Sequence, residues 1–289
     1  MTRDHQKLGR APSFPAVPSH SLFATEPDRD QPENLPEPGI SRVASSPQLE
    51  HPVLTIFTTD FKNCRTLSCV ILIRVMPIVA VINQKGGAGK STVAVHLARW
   101  LKKQKELVLV VDADAQCSSS KWLSRLEQKI ACEVIQAPDA LLDELPKLLA
   151  SYAWVIVDGP AALSETTRAI ILVADLAIIP CQPTGVDLES ASDTVRLIHQ
   201  AQRIRRGDPK AMMFVNRAIK GTKLKDEAIE VLRLMPGITV LETVIHQRQI
   251  LADCFGQNST VFDLSGSTAG IARRELEQLF KKALEVLNG

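Results

Sequence analysis

One short segment of the chain combines residue types that bind phosphate. Residues 84–92 read QKGGAGKST, close to the spacing Gly-x-x-x-x-Gly-Lys-Ser/Thr of a phosphate-binding loop. The glycines let backbone N–H groups turn toward an anion. Lys90 can reach β- and γ-phosphates, and the Ser91 hydroxyl can bind Mg²⁺. The segment departs from the general pattern at its start, where Gln84 replaces the first glycine and a second lysine, Lys85, follows.

Three aspartates stand at the ends of two apolar runs. Asp112 and Asp114 end LVLVVDAD, and Asp158 lies in WVIVDGP. Asp158 has the position expected for the second motif of phosphate-loop proteins, whose aspartate serves Mg²⁺. An aspartate after a strand is often a helix cap or a turn residue instead. The presence of a phosphate loop in the same chain favours the metal-related interpretation.

The segments around these residues alternate between strand and helix patterns. Apolar runs without a polar face, typical of strands buried on both sides, alternate with segments whose apolar residues recur at helical spacing. This alternation predicts an α/β fold: a doubly wound, mostly parallel sheet with helices on both faces. In such sheets ligands bind beyond the carboxyl ends of the strands, where the loop and the aspartates fall. The strands are expected at 77–83, 106–114, 132–137, 153–160, 175–182, 210–217 and 238–245, and the helices at 89–103, 118–129, 138–151, 164–174, 187–204, 224–235 and 267–288.

The first 75 residues have a different composition from the rest. Nine of the 17 prolines lie at or before Pro52, and no apolar period persists there. Such a segment buries too little surface to offset chain entropy. We therefore expect residues 1–75 to be a disordered, proline-rich tail or a mis-assigned start upstream of Met76, and residues 76–289 to form the folded domain.

Overall charge and cysteine content exclude several classes of protein. The net charge is +2, so bulk charge predicts no partner, and any nucleic-acid surface must come from local clustering. The six cysteines have no Cys-x-x-Cys metal spacing and no dense disulfide framework. We expect buried, reduced thiols in a cytoplasmic protein.

The motifs KGGAGKST, VDADAQ and VIVDGP together resemble the ParA/MinD family of deviant-Walker P-loop ATPases. The segment VIHQRQILADCFGQNSTVFD, residues 244–263, further resembles the small ParA-type partition ATPases of that family. The resemblance covers nearly all of residues 76–289. It explains the second lysine, because the early lysine of this family crosses a dimer interface to the phosphates bound by the other subunit. It implies ATP and Mg²⁺ as cofactors and an ATP-dependent homodimer.

The resemblance also implies roles for individual residues. Lys85 would act in trans, Lys90 in cis, and Asp114 would position the attacking water. Ser91, Asp112 and Asp158 would serve Mg²⁺, the two aspartates mainly through water. The residues expected to bind the nucleotide are Lys85, Gly86, Gly87, Ala88, Gly89, Lys90, Ser91, Thr92 and, at the adenine, Asn216.

Two positions depart from the family pattern. The family usually has proline where this chain has Ala115, and it often has two prolines shortly after the second-motif aspartate, where this chain reads DGPAAL. These departures put the switching of the loops in more doubt than nucleotide binding.

The surface to which the protein binds is predicted less directly. Basic residues gather in the second half of the domain, and ParA-type ATPases hold DNA non-specifically through such residues, by contacts to phosphate. This favours a nucleoid-associated ATPase that positions a plasmid, a chromosome or a protein body such as a carboxysome, with a ParB-like or other adaptor protein stimulating slow hydrolysis. Two alternatives stay open: a MinD-like membrane-associated regulator, and a metabolic P-loop enzyme. The final helix is expected to dock on the core rather than bind membrane stably. The candidate DNA contacts are Arg205, Arg206, Lys223, Arg248, Arg273 and Arg274.

Overall fold

The computed structural model describes residues 76–289. The predictions for residues 1–75 lie outside the described residues. The strands are β1 (Ile78–Val81), β2 (Val108–Asp112), β3 (Ala131–Val134), β4 (Trp154–Asp158), β5 (Leu176–Cys181), β6 (Lys210–Ala218), β7 (Thr239–Val240) and β8 (Ile245–His246). The helices are α1 (Lys90–Lys103), α2 (Ser118–Arg125), α3 (Pro138–Leu148), α4 (Glu165–Val173), α5 (Gly185–Arg205), α6 (Leu224–Arg233), α7 (Gln249–Gly256) and α8 (Ser267–Asn288).

The strands form an open sheet in the order β3-β2-β4-β1-β5-β6-β7, and β8 also pairs with β6. Every strand pair is parallel. The predicted α/β, doubly wound sheet is therefore confirmed.

Side chains alternate along each strand between two separate cores. Val79 and Val81 of β1 face a core shared with α1, α2, α7 and α8. Ile78 and Ala80 face a second core shared with α3, α4, α5 and α6. Since both faces are covered, the strands carry the continuous apolar runs seen in the sequence.

The strand order brings the predicted functional segments together. β1 lies between β4 and β5, and β4 lies between β1 and β2. Asp158 at the end of β4 pairs in register with Val81 on one side and with Asp112 on the other. The phosphate-type loop after β1 and the two aspartates therefore end neighbouring strands at one edge of the sheet.

The segment after α6 differs from the prediction. The expected strand at 238–245 is two short strands, because β7 pairs with Met212 and Met213 of β6 whereas β8 pairs farther along with Asn216 and Ala218, across a shift in register. Helix α7 was not predicted, since eight residues are too few to establish a helical period. The last helix, α8, has the predicted bounds.

The described cysteines, Cys117, Cys132, Cys181 and Cys254, are free thiols, of which Cys181 and Cys254 are buried. Within residues 76–289, every helix is too short or too polar to span a bilayer.

Candidate nucleotide-binding site

The connection between β1 and α1 turns back on itself at two glycines. Gly87 and Gly89 have φ angles of 80° and 95°, a left-handed region that glycine adopts without steric cost. Gly89 has a second constraint, because a Cβ atom there would lie 2.4 Å from Nδ2 of Asn216. That amide donates a hydrogen bond of 2.7 Å to the Ala88 carbonyl. A side chain at position 89 would therefore displace the loop from Asn216.

Lys90 opens α1 beneath this loop. Its side chain is largely buried, and its Nζ donates to the carbonyl of Lys85 at 3.2 Å. Burial lowers the pKa of the Lys90 ammonium, while the charges of Asp158 and Asp114 act in the opposite direction. A buried cation beside the start of a helix, whose N–H groups are unpaired, is suited to an anionic ligand.

Lys85 is half-buried, and its backbone conformation is set by Asn83. The Lys85 N–H donates to Oδ1 of Asn83 at 3.1 Å. Asn83 is itself buried, and its Nδ2 donates to the Pro180 carbonyl at the end of β5, 2.7 Å away. The turn that carries the second lysine is thus anchored to the sheet by Asn83, a residue just before the motif to which the sequence analysis gave no role.

The Asp158 carboxylate has an environment that favours a cation. It is fully buried, and neither oxygen has a hydrogen-bond partner within bonding distance. Burial raises the pKa of Asp158 to about 7, and the Asp112 charge adds to this rise. The nearby Ser91 hydroxyl lowers it, as do Ser119 and Lys90. A buried carboxylate without a partner is costly unless a charge compensates it.

These residues fit Mg²⁺. Carboxylate and hydroxyl oxygens are its preferred protein ligands, and Asp158 and Ser91 offer both. No cluster of three or more His, Cys, Asp or Glu that could hold a metal occurs in the described domain. Mg²⁺ is usually bound by one or two carboxylates together with substrate phosphates and water, and Asp158 with Ser91 would suit that mode.

Both carboxylate oxygens of Asp112 accept hydrogen bonds from the segment that follows β2. Its Oδ1 accepts the N–H of Asp114 at 3.2 Å, and its Oδ2 accepts the N–H of Ser120 in the first turn of α2 at 2.8 Å. Asp112 therefore shapes the loop after β2 and caps α2, whatever it contributes to a metal.

Asp114 lies in that loop, half-buried. Its Oδ1 accepts the N–H of Gln116 at 2.9 Å. Its carbonyl accepts Nε2 of Gln136 at 3.1 Å, and the Gln136 carbonyl accepts the hydroxyl of Thr166, at the start of α4. The loop that holds Asp114 is thus connected through Gln136 to the segment that follows Asp158.

A cavity of about 350 Å³ adjoins the loop. Its wall includes Gly89, Thr92 and Asn216, which were predicted to contact nucleotide. The remaining lining comes from segments to which the sequence gave no such role. These are Trp122 on α2, Arg217 on β6, Arg248 between β8 and α7, and residues of α7 that include Leu251 and Phe255.

Three of the candidate DNA contacts, Arg205, Arg273 and Arg248, make bonds within the chain. Arg205 donates to the Ala174 carbonyl and lies 3.7 Å from a carboxylate oxygen of Asp175. Arg273 donates from Nε to the Val261 carbonyl at 3.2 Å. A cluster of basic residues in a sequence does not show which guanidinium groups bind the chain's own oxygens and which are exposed.

Arg248 is also paired. Its Nε donates to Glu275 on α8 at 3.1 Å, and this contact raises the pKa of the guanidinium. By contrast, Arg206, Lys223 and Arg274 are exposed. The structure therefore leaves these three better placed than the others to contact a polyanion.

A parallel sheet with a Gly-Lys-Ser loop after its central first strand, and a buried aspartate at the end of the adjacent strand, defines a P-loop nucleotide-binding protein. Residues 79–261 match the family described as "CobQ/CobB/MinD/ParA nucleotide binding domain". The chain belongs to this family.

Individual members of the family give a finer comparison. A stretch of 119 residues is 40% identical to a maintenance of carboxysome distribution protein A from Gloeobacter kilaueensis, covering 41% of this chain and 55% of that relative. The protein of the same name from Halothiobacillus neapolitanus is 24% identical over 210 residues, covering 71% of this chain and 95% of the relative. The solved Cyanothece McdA–ATP complex has a TM-score of 0.60 at 18% identity, covering 73% of this chain and 96% of that one. The chain therefore spans about half of the first relative and nearly all of the second.

Proposed function

We propose that this protein is a Mg²⁺-dependent ATPase that dimerises on ATP, binds DNA non-specifically and positions or segregates a cargo. The observation that carries the proposal is the pairing of a two-lysine phosphate loop with the buried, partnerless carboxylate of Asp158. A buried anion beside a cationic loop is suited to a metal–nucleotide complex and has no evident use without one.

In this proposal, the loop and α1 hold the triphosphate of ATP. Lys90 and the N–H groups of residues 86–92 face the phosphates, and the cavity beside Asn216 receives the adenosine. The Asn216 amide nitrogen already binds the Ala88 carbonyl, but an asparagine side chain also carries an acceptor that can meet the adenine amino group. Ser91 and Asp158 hold Mg²⁺, and Asp112 acts on it through water. When bound, Mg²⁺ neutralises charge that develops on the transferred phosphoryl group.

Lys85 and Asp114 complete the site when two subunits meet. Lys85 reaches the phosphates of the partner's nucleotide, where a cation stabilises the transition state as an arginine finger does. Asp114 orients the attacking water. The loop of Asp114 is connected to the segment after Asp158 through Gln136, which gives a route by which metal binding can shift that loop.

DNA is the proposed surface on which the dimer acts. The exposed Arg206, Lys223 and Arg274 are the side chains best placed for phosphate contacts, which carry affinity rather than sequence information. A plasmid, a chromosome or a protein body such as a carboxysome is the proposed cargo, and an adaptor on that cargo stimulates slow hydrolysis. The proposed location is therefore the cytoplasm, on the nucleoid. Two relatives named for carboxysome distribution support a carboxysome as the cargo.

A MinD-like membrane role is less well supported. Membrane-binding helices present an apolar face to lipid, but the apolar face of α8 is used inside the protein. Leu276, Leu279, Phe280 and Ala283 are all buried in the core. The prediction that the last helix docks on the domain is confirmed.

The test is a comparison of two surfaces under one set of nucleotide conditions. The full chain is incubated with ATP, ADP or no nucleotide, and binding is measured to arbitrary duplex DNA and to vesicles of anionic phospholipid. We expect ATP-dependent dimerisation by size exclusion and DNA binding that needs ATP. Lys85→Ala is the matched control, since it keeps the fold and the monomer site but lacks the trans lysine. Binding to vesicles and not to DNA would refute the proposed surface.

A further inference from the structure

The carbonyl oxygen of Gly87, at the tip of the phosphate loop, accepts two hydrogen bonds from distant side chains. Nε2 of Gln182 lies 3.1 Å from it, and Nη1 of Arg217 lies 2.9 Å from it. We call this arrangement the Gly87 clamp. A carbonyl oxygen has two lone pairs, so both donors can bind at once.

The donors come from separate strands. Gln182 directly follows β5, and Arg217 lies on β6 immediately after Asn216. Arg217 has a φ angle of 56°, which is uncommon for a residue with a side chain and is held in place by its surroundings. The neighbouring residue, Asn216, binds the next carbonyl, that of Ala88. Two consecutive carbonyls of the loop are therefore bound by side chains of β6 and of the residue that follows β5.

The geometry of the peptide bond gives these contacts a consequence. A trans peptide is planar, so its C=O and the N–H of the following residue point in opposite directions. Fixing the Gly87 carbonyl toward β5 and β6 therefore turns the N–H of Ala88 away from them. Fixing the Ala88 carbonyl does the same for the N–H of Gly89. The N–H groups of these residues are the ones that a phosphate-binding loop presents to its anion.

We propose that Gln182 and Arg217 are positioning residues that hold the Ala88 N–H aimed at the nucleotide phosphates. They act through the loop backbone; Arg217 also lines the cavity proposed for the adenosine, whereas Gln182 does not, so the Gln182 variant isolates the backbone effect. Donors fixed in advance cost no reorganisation when the anion arrives. Because Gly87 is exposed and free to adopt many conformations, the loop without the clamp would sample orientations that do not bind phosphate. This inference depends on ATP binding at the loop.

The shared acceptor makes the prediction specific. Either donor alone can still orient the peptide plane, so each single loss should be mild and the double loss severe. We expect Gln182→Met and Arg217→Met each to weaken ATP binding about five-fold, the equivalent of one ordinary hydrogen bond. The double variant should bind ATP about a hundred-fold more weakly than wild type, which is more than the product of the two single effects.

The measurements are dissociation constants of the full chain for ATP, ADP and AMP with Mg²⁺, with thermal unfolding in the absence of nucleotide. The losses should be larger for ATP and ADP than for AMP, because AMP lacks the β-phosphate that the backbone N–H groups of such a loop cradle. Gln202→Met is the matched control. It removes the same type of bond, from Nε2 to the Pro209 carbonyl at 2.9 Å, far from the loop, and should leave all three constants unchanged.

The outcomes distinguish the clamp from a direct contact with phosphate and from a general loss of stability. Gln182 is neutral, so its effect cannot be loss of a direct charge contact to phosphate. The clamp is overturned if the double variant weakens ATP binding only by the product of the two single effects. It is also overturned if the variants weaken AMP binding and ATP binding equally. If the double variant has a lower melting temperature than the control, the two single variants decide, because the clamp requires each of them to weaken ATP binding more than AMP binding. A wild-type chain that fails to bind ATP would overturn the proposed function itself, whereas normal ATP binding by all variants would overturn the clamp alone.

Discussion

Protonation of His96 should destabilise the protein in mild acid. His96 is fully buried on α1 between Trp122 and Phe262. Its Nδ1 lies 2.7 Å from the Thr92 carbonyl, and its Nε2 accepts the backbone N–H of Val261 at 3.3 Å. These partners require a neutral ring with the proton on Nδ1, because an amide N–H can only donate.

The magnitude follows from the pKa. Burial lowers the pKa of His96 to about 4 from 6.5, although the Thr92 bond and the Asp263 charge act against this. The difference of about 2.5 units, at 1.36 kcal/mol each, is about 3.4 kcal/mol. Between these two pKa values the unfolded chain holds a proton that the folded chain does not. The stabilisation by neutral His96 is therefore complete above about pH 6.5, falls by about 2 kcal/mol at pH 5, and is lost near pH 4.

The assay is denaturant unfolding at pH 7.5, 6.5, 5.5 and 5.0 for wild type and His96→Gln. Glutamine keeps a donor and an acceptor but does not titrate. Asp158 acts in the opposite direction, because its pKa of about 7 lets the folded state take up a proton over the same range. The diagnostic quantity is therefore the free energy of unfolding of wild type minus that of His96→Gln. This difference should fall by about 2 kcal/mol from pH 7.5 to pH 5.

His199→Gln is the control, since this half-buried histidine on α5 lies away from the site. It shows what the same substitution does to the free energy of unfolding at a histidine outside the site. A difference between wild type and His96→Gln that stays constant across the range, within about 0.5 kcal/mol, would show that burial does not keep His96 neutral.

The remaining predictions concern the proposed nucleotide and DNA sites. Lys90→Ala should abolish ATP binding, measured by equilibrium titration, because a cation beside the outer phosphates is lost. Lys85→Ala should still bind ATP as a monomer but fail to dimerise on size exclusion, and normal dimerisation would contradict its trans role. Asp114→Ala should slow single-turnover hydrolysis about a hundred-fold while ATP affinity is kept, so hydrolysis at the wild-type rate would refute its role. Paired Arg206→Glu and Arg274→Glu changes should weaken DNA binding, lower its salt dependence by about two units of log–log slope and leave basal ATPase unchanged. An unaltered DNA affinity would exclude these side chains from the interface.

The parts of this fold that the sequence predicts well are those determined by nearby residues. The loop of residues 84–92, the strand that ends at Asp158 and the final helix all have local signals: glycine spacing, a continuous apolar run, and a long helical period. Such local signals are missing for α7 and for the β7–β8 segment, where elements are short and their limits depend on the register against β6.

The parts that the sequence does not reveal depend on contacts between distant residues. Gln182 and Arg217 lie 95 and 130 positions from Gly87, and no local pattern relates them. Arg273 looks like part of a basic surface in the sequence, but it binds the Val261 carbonyl of its own chain. The type of a side chain gives its chemistry, and the fold decides whether that chemistry is directed outward or inward.

The sequence separation between the loop and its supports determines the order in which the two are synthesised. The residues proposed to bind phosphate are synthesised early in the domain, but Asn216, whose side chain binds the Ala88 carbonyl, follows 128 residues later. A nascent chain that stops short of β6 contains the complete phosphate-binding motif without Asn216 or Arg217. Such a chain has the loop sequence, but it lacks the side chains of β6 that bind the Gly87 and Ala88 carbonyls. We therefore expect ATP affinity to arise late in translation, when β6 has left the exit tunnel and paired with β5.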